Sequence, residues 1–333
     1  MTLPDAIREA LERNAAQLSP ITLTLAEYPP GYSAPEGRID DWLVPEAVQA
    51  GEGPFPGMHQ GQLLRITWQD GKFRTWRRTR SGRPESESVY ESSSDGQVHY
   101  LLSRWAEGPS AMLKTRMDDP KENHPDAVLF DPTYLEACGL TMPTCGESVR
   151  SVPARSTILH QLDHGGELLA VDGNRVRIRA DNPERVAAER VTDFRALEDE
   201  LRRFAMSDEQ IQNELAEVRR KQQLPKKWVW TFELDPEVHF AQRKIEASFE
   251  DGTLIRRMSC EDFQNIPGRD LHLPRKVAAE WFKRVPAPDE NPATLSRVWE
   301  LVEVESRAVD ESRFVIEPEA PDTWVTDRTK PRG

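Results

Sequence analysis

The chain has 333 residues, of which 37% are apolar and 30% charged, and 57 acidic against 44 basic side chains leave a formal charge of −13. Such a surface repels phosphate backbones and anionic headgroups, and no apolar run approaches the roughly 20 residues that cross a bilayer as a helix. Neither a nucleic-acid partner nor a transmembrane segment is therefore expected, whereas nine Trp and eleven Phe call for a folded core.

The first segment reads as a helix: Leu3, Ile7, Leu11, Ala15 and Leu18 recur at helical spacing. Thr2 and Asp5 are placed for a capping box, and Ser19-Pro20 ends the pattern. Ile21 to Leu25 alternates with period two, as a half-buried strand does. From Tyr28 to Gly61 the chain is rich in Pro and Gly, which predicts a long insertion loop. Strands are then expected over Gln62–Gln69 and Phe73–Arg80, joined by Asp70-Gly71, a dipeptide suited to a two-residue hairpin. Further strands are predicted over Ser88–Ser93, Val98–Trp105, Ala111–Met117, Ser156–Leu162, Glu167–Val171 and Arg175–Ala180. A short helix is predicted between Asp131-Pro132 and Gly139.

Residues 182–224 read as a helical insertion, with Phe194, Leu197, Leu201 and Phe204 forming one stripe. Ser207 and Gln210 make a second capping box ahead of Ile211, Leu215 and Val218. This helical pair is a candidate docking surface for a protein partner. Strands return over Trp228–Leu234, Arg243–Phe249, Thr253–Cys260, Lys276–Arg284, Leu295–Val304 and Phe314–Ile316. About ten or eleven strands joined mostly by short turns predict an α+β chain, mainly antiparallel β, rather than a βαβ design.

Motifs for catalysis are absent from the sequence: there is no nucleophile elbow, Walker loop or dinucleotide fingerprint. His160 and His164 straddle a turn instead of sharing a helix face, so no metal and no cofactor are expected. Cys138 and Cys145, seven apart, leave a local disulfide or two free thiols open, with Cys260 single. The chemistry that does stand out is apolar: Leu64, Ile66 and Trp68 share one strand face, and Trp228, Trp230 and Phe232 share another. Most such residues are core. A curved sheet of this length nevertheless has more inner surface than two short helical elements cover, and an unfilled concavity holds acyl chains. These six residues are the candidate lining of a ligand cavity.

The order of elements resembles the outer-membrane lipoprotein-sorting (LolA/LolB-like) family. An amphipathic helix ending in Leu18-Ser19-Pro20-Ile21-Thr22 feeds a strand and a meander, and Phe130-Asp131-Pro132 falls near the middle. Later come Trp230 to Pro236, Arg243-Lys244-Ile245-Glu246, Leu273-Pro274-Arg275, Ser312-Arg313-Phe314 and Pro321 to Asp327. The resemblance implies an unclosed β-barrel, or half-barrel, whose helices cover an apolar concavity. It also implies a non-enzymatic periplasmic or cell-envelope protein that binds a lipid or the acyl chains of a lipoprotein. The 28–61 and 182–224 stretches look like insertions in a single domain spanning 1–333. The opening residues lack the basic and apolar regions of a secretory leader, which fits either a mature envelope protein or a cytoplasmic one. An envelope-sensing or interaction module built on the inserted helices is the alternative, and a hydrolase without a readable motif the second.

Overall fold

The computed structural model describes residues 5–28, 30, 62–80, 87–105, 110–116, 133–141, 155–156, 158–159, 167–172, 175–182, 194–203, 206–222, 228–282, 293–318 and 323–329. Thr2, nearly all of the 28–61 stretch, Cys145, His160, His164 and the start of the helical insertion lie outside the described residues.

Helix α1 (Asp5–Gln17) buries Ile7, Ala10, Leu11 and Ala15, the stripe its sequence spacing dictates. It is followed by β1 (Ile21–Tyr28), β2 (Gln62–Gln69), β3 (Lys72–Arg80), β4 (Glu87–Ser94), β5 (Val98–Trp105) and β6 (Ala111–Arg116). A short helix α2 (Thr133–Ala137) and a two-stranded pair, β7 (Leu140–Thr141) and β8 (Arg155–Ser156), lie between β6 and β9 (Glu167–Asp172). Then come β10 (Arg175–Asn182), helices α3 (Phe194–Arg203) and α4 (Asp208–Gln222), and β11 (Trp228–Asp235). Strands β12 (Ala241–Phe249), β13 (Leu254–Asn265), β14 (His272–Phe282), β15 (Ala293–Glu305) and β16 (Trp324–Asp327) complete the chain.

Fourteen strands form one sheet in the order β16-β6-β5-β4-β3-β2-β1-β15-β14-β13-β12-β11-β10-β9. Two antiparallel meanders, β2–β6 and β9–β15, therefore flank β1, and among the described residues the sheet ends at β16 and β9 without closing. This is the unclosed, mainly antiparallel sheet expected from the sequence, with more strands than anticipated. Local turn chemistry sets much of it: Asp70 (φ 50°) and Gly71 (φ 80°) both lie in the left-handed region that a tight hairpin needs. The Ser207–Gln210 capping box is also present, with reciprocal bonds of 2.9 and 3.3 Å.

The two halves differ in regularity. Register runs without a shift through the pairings from β1 to β6. The other half carries bulges at Thr24/Leu25, Arg177/Ile178, Glu233/Leu234, Ala247/Ser248 and Trp281/Phe282. A bulge bends its strand and adds twist, so this half curls around the helices on its inner side.

Two expected strands take other forms. Among the described residues of Ser156–Leu162, Ser156 is extended, whereas Ile158 and Leu159 are helical and buried. Phe314–Ile316 is the end of a 3₁₀ turn (Glu311–Phe314) and an extended strap, not a strand. Its alternating apolar residues serve to plug rather than to pair: Ile316 packs with Tyr100, Leu102 and Met112 on the outer face of β5 and β6. The strap is held by Ser93 Oγ donating to Phe314 O (2.7 Å) and by Arg74 donating to Arg313 O (2.9 Å).

Glu91, only 2% exposed, stands on this outer face and is clamped by Arg74 and by Arg104, the latter at 2.6 Å. Replacing Glu91 with Gln leaves two partly buried guanidiniums short of a counter-charge. The expected loss is about 2–4 kcal/mol in urea unfolding, against under ~1 kcal/mol for Arg65→Gln at the more open Arg65–Glu305 pair. Leu23→Ala, at the centre of β1 and 0% exposed, is expected to cost ~2–5 kcal/mol by the same measurement.

Candidate functional site

The registers place one side-chain row on the inner face of strand after strand. Trp68, Ile66 and Leu64 of β2 sit opposite Ile21, Leu23 and Leu25 of β1. Glu27 of β1 faces Trp299 of β15, which faces Val277 of β14 and then Cys260 of β13. A parallel row runs Ala279–Met258–Ile245–Phe232–Ile178 from β14 to β10. All of these apolar residues belong to one buried cluster, which also takes in Ile7, Leu11 and Leu18 from the α1 region and Tyr134, Leu135 and Ala137 of α2.

The sequence-derived lining residues meet on this wall. Leu64, Ile66, Trp68, Trp230 and Phe232 are each 2% exposed or less and lie in that cluster. The Trp228 side chain lies outside what the structure describes, although its backbone pairs with Phe249. The wall is thus a packed core in which α1 and α2 occupy the concavity. Two indole N–H groups on it, those of Trp68 and Trp299, are buried without a hydrogen-bond acceptor among the described residues.

Three features of the wall were not read from the sequence. Arg256, on β13, pairs with Glu136 of α2 at 2.7 Å, donates to Thr133 Oγ1 at 3.1 Å and lies over the Trp281 ring at 5.4 Å. Arg297 reaches Glu27 at 3.2 Å. Next to Trp281, Leu295 is 41% exposed, so this corner of the apolar face is open. Charged residues spaced along β13 and β15 look like ordinary solvated strand positions in sequence, and only the register turns them inward.

Beyond β2 the inner face changes character. Thr75, Ser92, Ser94, His99 and Thr115 follow on β3 to β6, all buried. Ser92 Oγ lies 2.8 Å from His99 Nε2, and Thr75 Oγ1 donates to Ser92 O at 3.2 Å. The imidazole packs beside Phe73 with ring centroids 6.1 Å apart.

Thiol chemistry is disfavoured in the core. Cys138 and Cys260 are free, and burial pushes the Cys260 thiol up to about 12 and Cys138 well above its ordinary range, so both are protonated at neutral pH. No group of three metal-ligating side chains occurs among the described residues, and no helix among them is long and apolar enough to cross a membrane.

No family model matches the chain, and no curated protein matches it. Solved structures do. A Vibrio parahaemolyticus domain described as outer membrane lipoprotein-sorting is 10% identical, with 92% of this chain and 94% of that chain covered and a TM-score of 0.39. A LolA superfamily protein from Nitrosomonas europaea is 12% identical over 95% and 98% of the two chains, with a TM-score of 0.36. A DUF1329 family protein from Desulfovibrio piger is 8% identical over 94% and 98%, with a TM-score of 0.35. Structures of the kind the sequence resembles are therefore among those this chain is similar to.

Proposed function

We propose that this chain is a non-enzymatic cell-envelope binding protein that holds a lipid or the acyl chains of a lipidated polypeptide against the concave apolar wall of its sheet. The carrying observation is the wall itself: one continuous apolar face, built by strands from β2 to β10, covered among the described residues by short elements, α1, α2 and the helical Ile158 and Leu159. Leu64, Ile66, Trp68, Trp228, Trp230 and Phe232 form part of the ligand surface, and α1 is the element a ligand displaces. The unpaired indole N–H groups of Trp68 and Trp299 are donors on an otherwise apolar wall, which suits the ester or amide carbonyls of an acylated ligand.

Magnitudes allow the exchange. An acyl chain of about fifteen methylenes gains roughly 12 kcal/mol gross on burial. Lifting α1 exposes two large side chains, Ile7 and Leu11, at about 1.5–3 kcal/mol each. The ligand thus offsets the opening and leaves a surplus toward the cost of ordering it.

Two measurements on the native chain test this reading. Denaturing extraction followed by mass spectrometry is expected to release lipid in near-stoichiometric amount. In delipidated protein, a brominated fatty acid is expected to quench the wall tryptophans saturably, and the unlabelled acid to reverse it. If extraction yields no lipid and bromolipid leaves tryptophan emission unchanged, the lipid-binding reading is wrong.

A further inference from the structure

Between α1, the end of α2 and the strands β12 to β14 lies a small, partly open recess with room of about 20 Å³, enough for a water-sized group. Its apolar walls include Leu11, Phe240, Phe263 and Leu271, and no Lys, Arg, Asp or Glu lines it. Three polar residues do: Asn14, Gln242 and His272. On each of them one acceptor-capable atom, Asn14 Oδ1, Gln242 Oε1 and His272 Nδ1, is buried without a hydrogen-bond partner among the described residues.

Local partners orient the two amides with their oxygens free to accept, and the neutral His272 imidazole accepts at Nδ1 in its Nε2–H tautomer. Asn14 Nδ2 donates to His239 O at 2.7 Å, so the amide presents its oxygen elsewhere. Gln242, 3% exposed, donates through Nε2 toward Glu136 O at 3.4 Å. A side chain at Gly139 would put its Cβ 2.8 Å from that nitrogen, and the glycine's φ of +88° disfavours any other residue. His272 stacks on His239 with centroids 5.0 Å apart, and His239 Nδ1 is 3.1 Å from the Asp270 carboxylate. Burial, and then the neighbouring His239, hold the His272 imidazole below its ordinary pKa, so it is neutral at pH 7 and able to accept.

A buried acceptor left unpaired costs about 1–3 kcal/mol, and native structures carry few of them. Three lining one recess call for a donor-rich occupant. A water offers two donors, whereas a primary alkylammonium offers three and free ammonium four, and neither needs a donor in return. The surrounding field favours a cation, given the formal charge of −13.

We propose that this recess is a binding site for a small primary ammonium, either free ammonium or the terminal group of a short alkylamine, held by Asn14 Oδ1, Gln242 Oε1 and His272 Nδ1. Protonating His272 turns its acceptor into a donor, so affinity falls as pH drops through the titration of that imidazole.

The test uses the full chain in amine-free phosphate buffer at pH 7.5, following histidine ring resonances by NMR. Ammonium chloride, ethylammonium chloride, tetramethylammonium chloride and ethanol are titrated in parallel at constant ionic strength. Saturable shifts of the His272 and His239 rings with ammonium or ethylammonium are expected, with none from tetramethylammonium, which has no donors, or ethanol, which has no charge. Response to ammonium alone identifies the free ion as the occupant; response to both admits the alkylamine. Gln242→Leu is expected to weaken binding at least tenfold while leaving the unliganded melting temperature unchanged or higher. Absence of saturation with both ammonium salts, which leaves water as the occupant, overturns the proposal. An equal response to tetramethylammonium or ethanol overturns it as well.

Discussion

Among the described residues the fourteen-stranded sheet has no partner sheet of comparable size, so short helices and straps must cover its apolar inner wall. Strand β1 is where this constraint is most severe. It joins the two meanders, and all eight of its residues are buried. Its inner side, Ile21, Leu23 and Leu25, lies in the main core. Its outer side forms a small cluster of Ala26 and Tyr28 with Val298, and Tyr28 donates to Glu300 at 2.9 Å. A strand that pairs on both edges and is dry on both faces cannot shift register without exposing one apolar set. The rest of the sheet is built outward from it.

The two meanders solve the covering problem differently. The bulged half curls, and α1 and α2 fill its inner side. The regular half instead carries hydrogen-bonded polar groups on its inner face, Thr75, Ser92 and His99 among them, with Thr115 Oγ1 buried there without a partner among the described residues. It places an apolar patch outside, under the strap that carries Phe314 and Ile316. Only the curled half therefore keeps an apolar wall whose cover is a separate, short element, which is the arrangement an exchangeable ligand requires.

What the sequence disclosed follows the range over which each signal acts. Hairpins at Asp70-Gly71 and the cap at Ser207 depend on two to four neighbouring residues, and both stand in the structure. The alternation of Leu64, Ile66 and Trp68 likewise fixed which face of β2 is dry. Pairing of β1 with β15 joins Leu23 to Val304, a separation over which no local pattern speaks. Phe314 and Ile316 show the limit of periodicity: alternation announced one buried face, but a strap laid across a sheet alternates just as a strand does. The recess was invisible because Asn14, Gln242 and His272 come from three distant segments and are each unremarkable alone. Nothing in the neighbours of His272 along the chain indicates a stacked His239.

The ties on the covering helices decide which of them can yield. Helix α2 is fastened along its length: Tyr134 donates to Pro274 O, and both Thr133 and Glu136 engage Arg256. Side-chain and backbone hydrogen bonds from α1 to the rest of the fold gather at its C-terminal end among the described residues. Asn14 donates to His239 O, and Arg269 donates to Gln17 O, Pro20 O and Ser306 O. Ahead of Asn14 the ties of the helix among the described residues are the buried Ile7, Ala10 and Leu11, non-directional contacts that an acyl chain can replace. A helix pinned at one end and greased at the other hinges about the pin. Under the lipid-binding proposal, the motion that uncovers the wall is a swing of α1 about the Arg269 anchor, with α2 and the strands left in place.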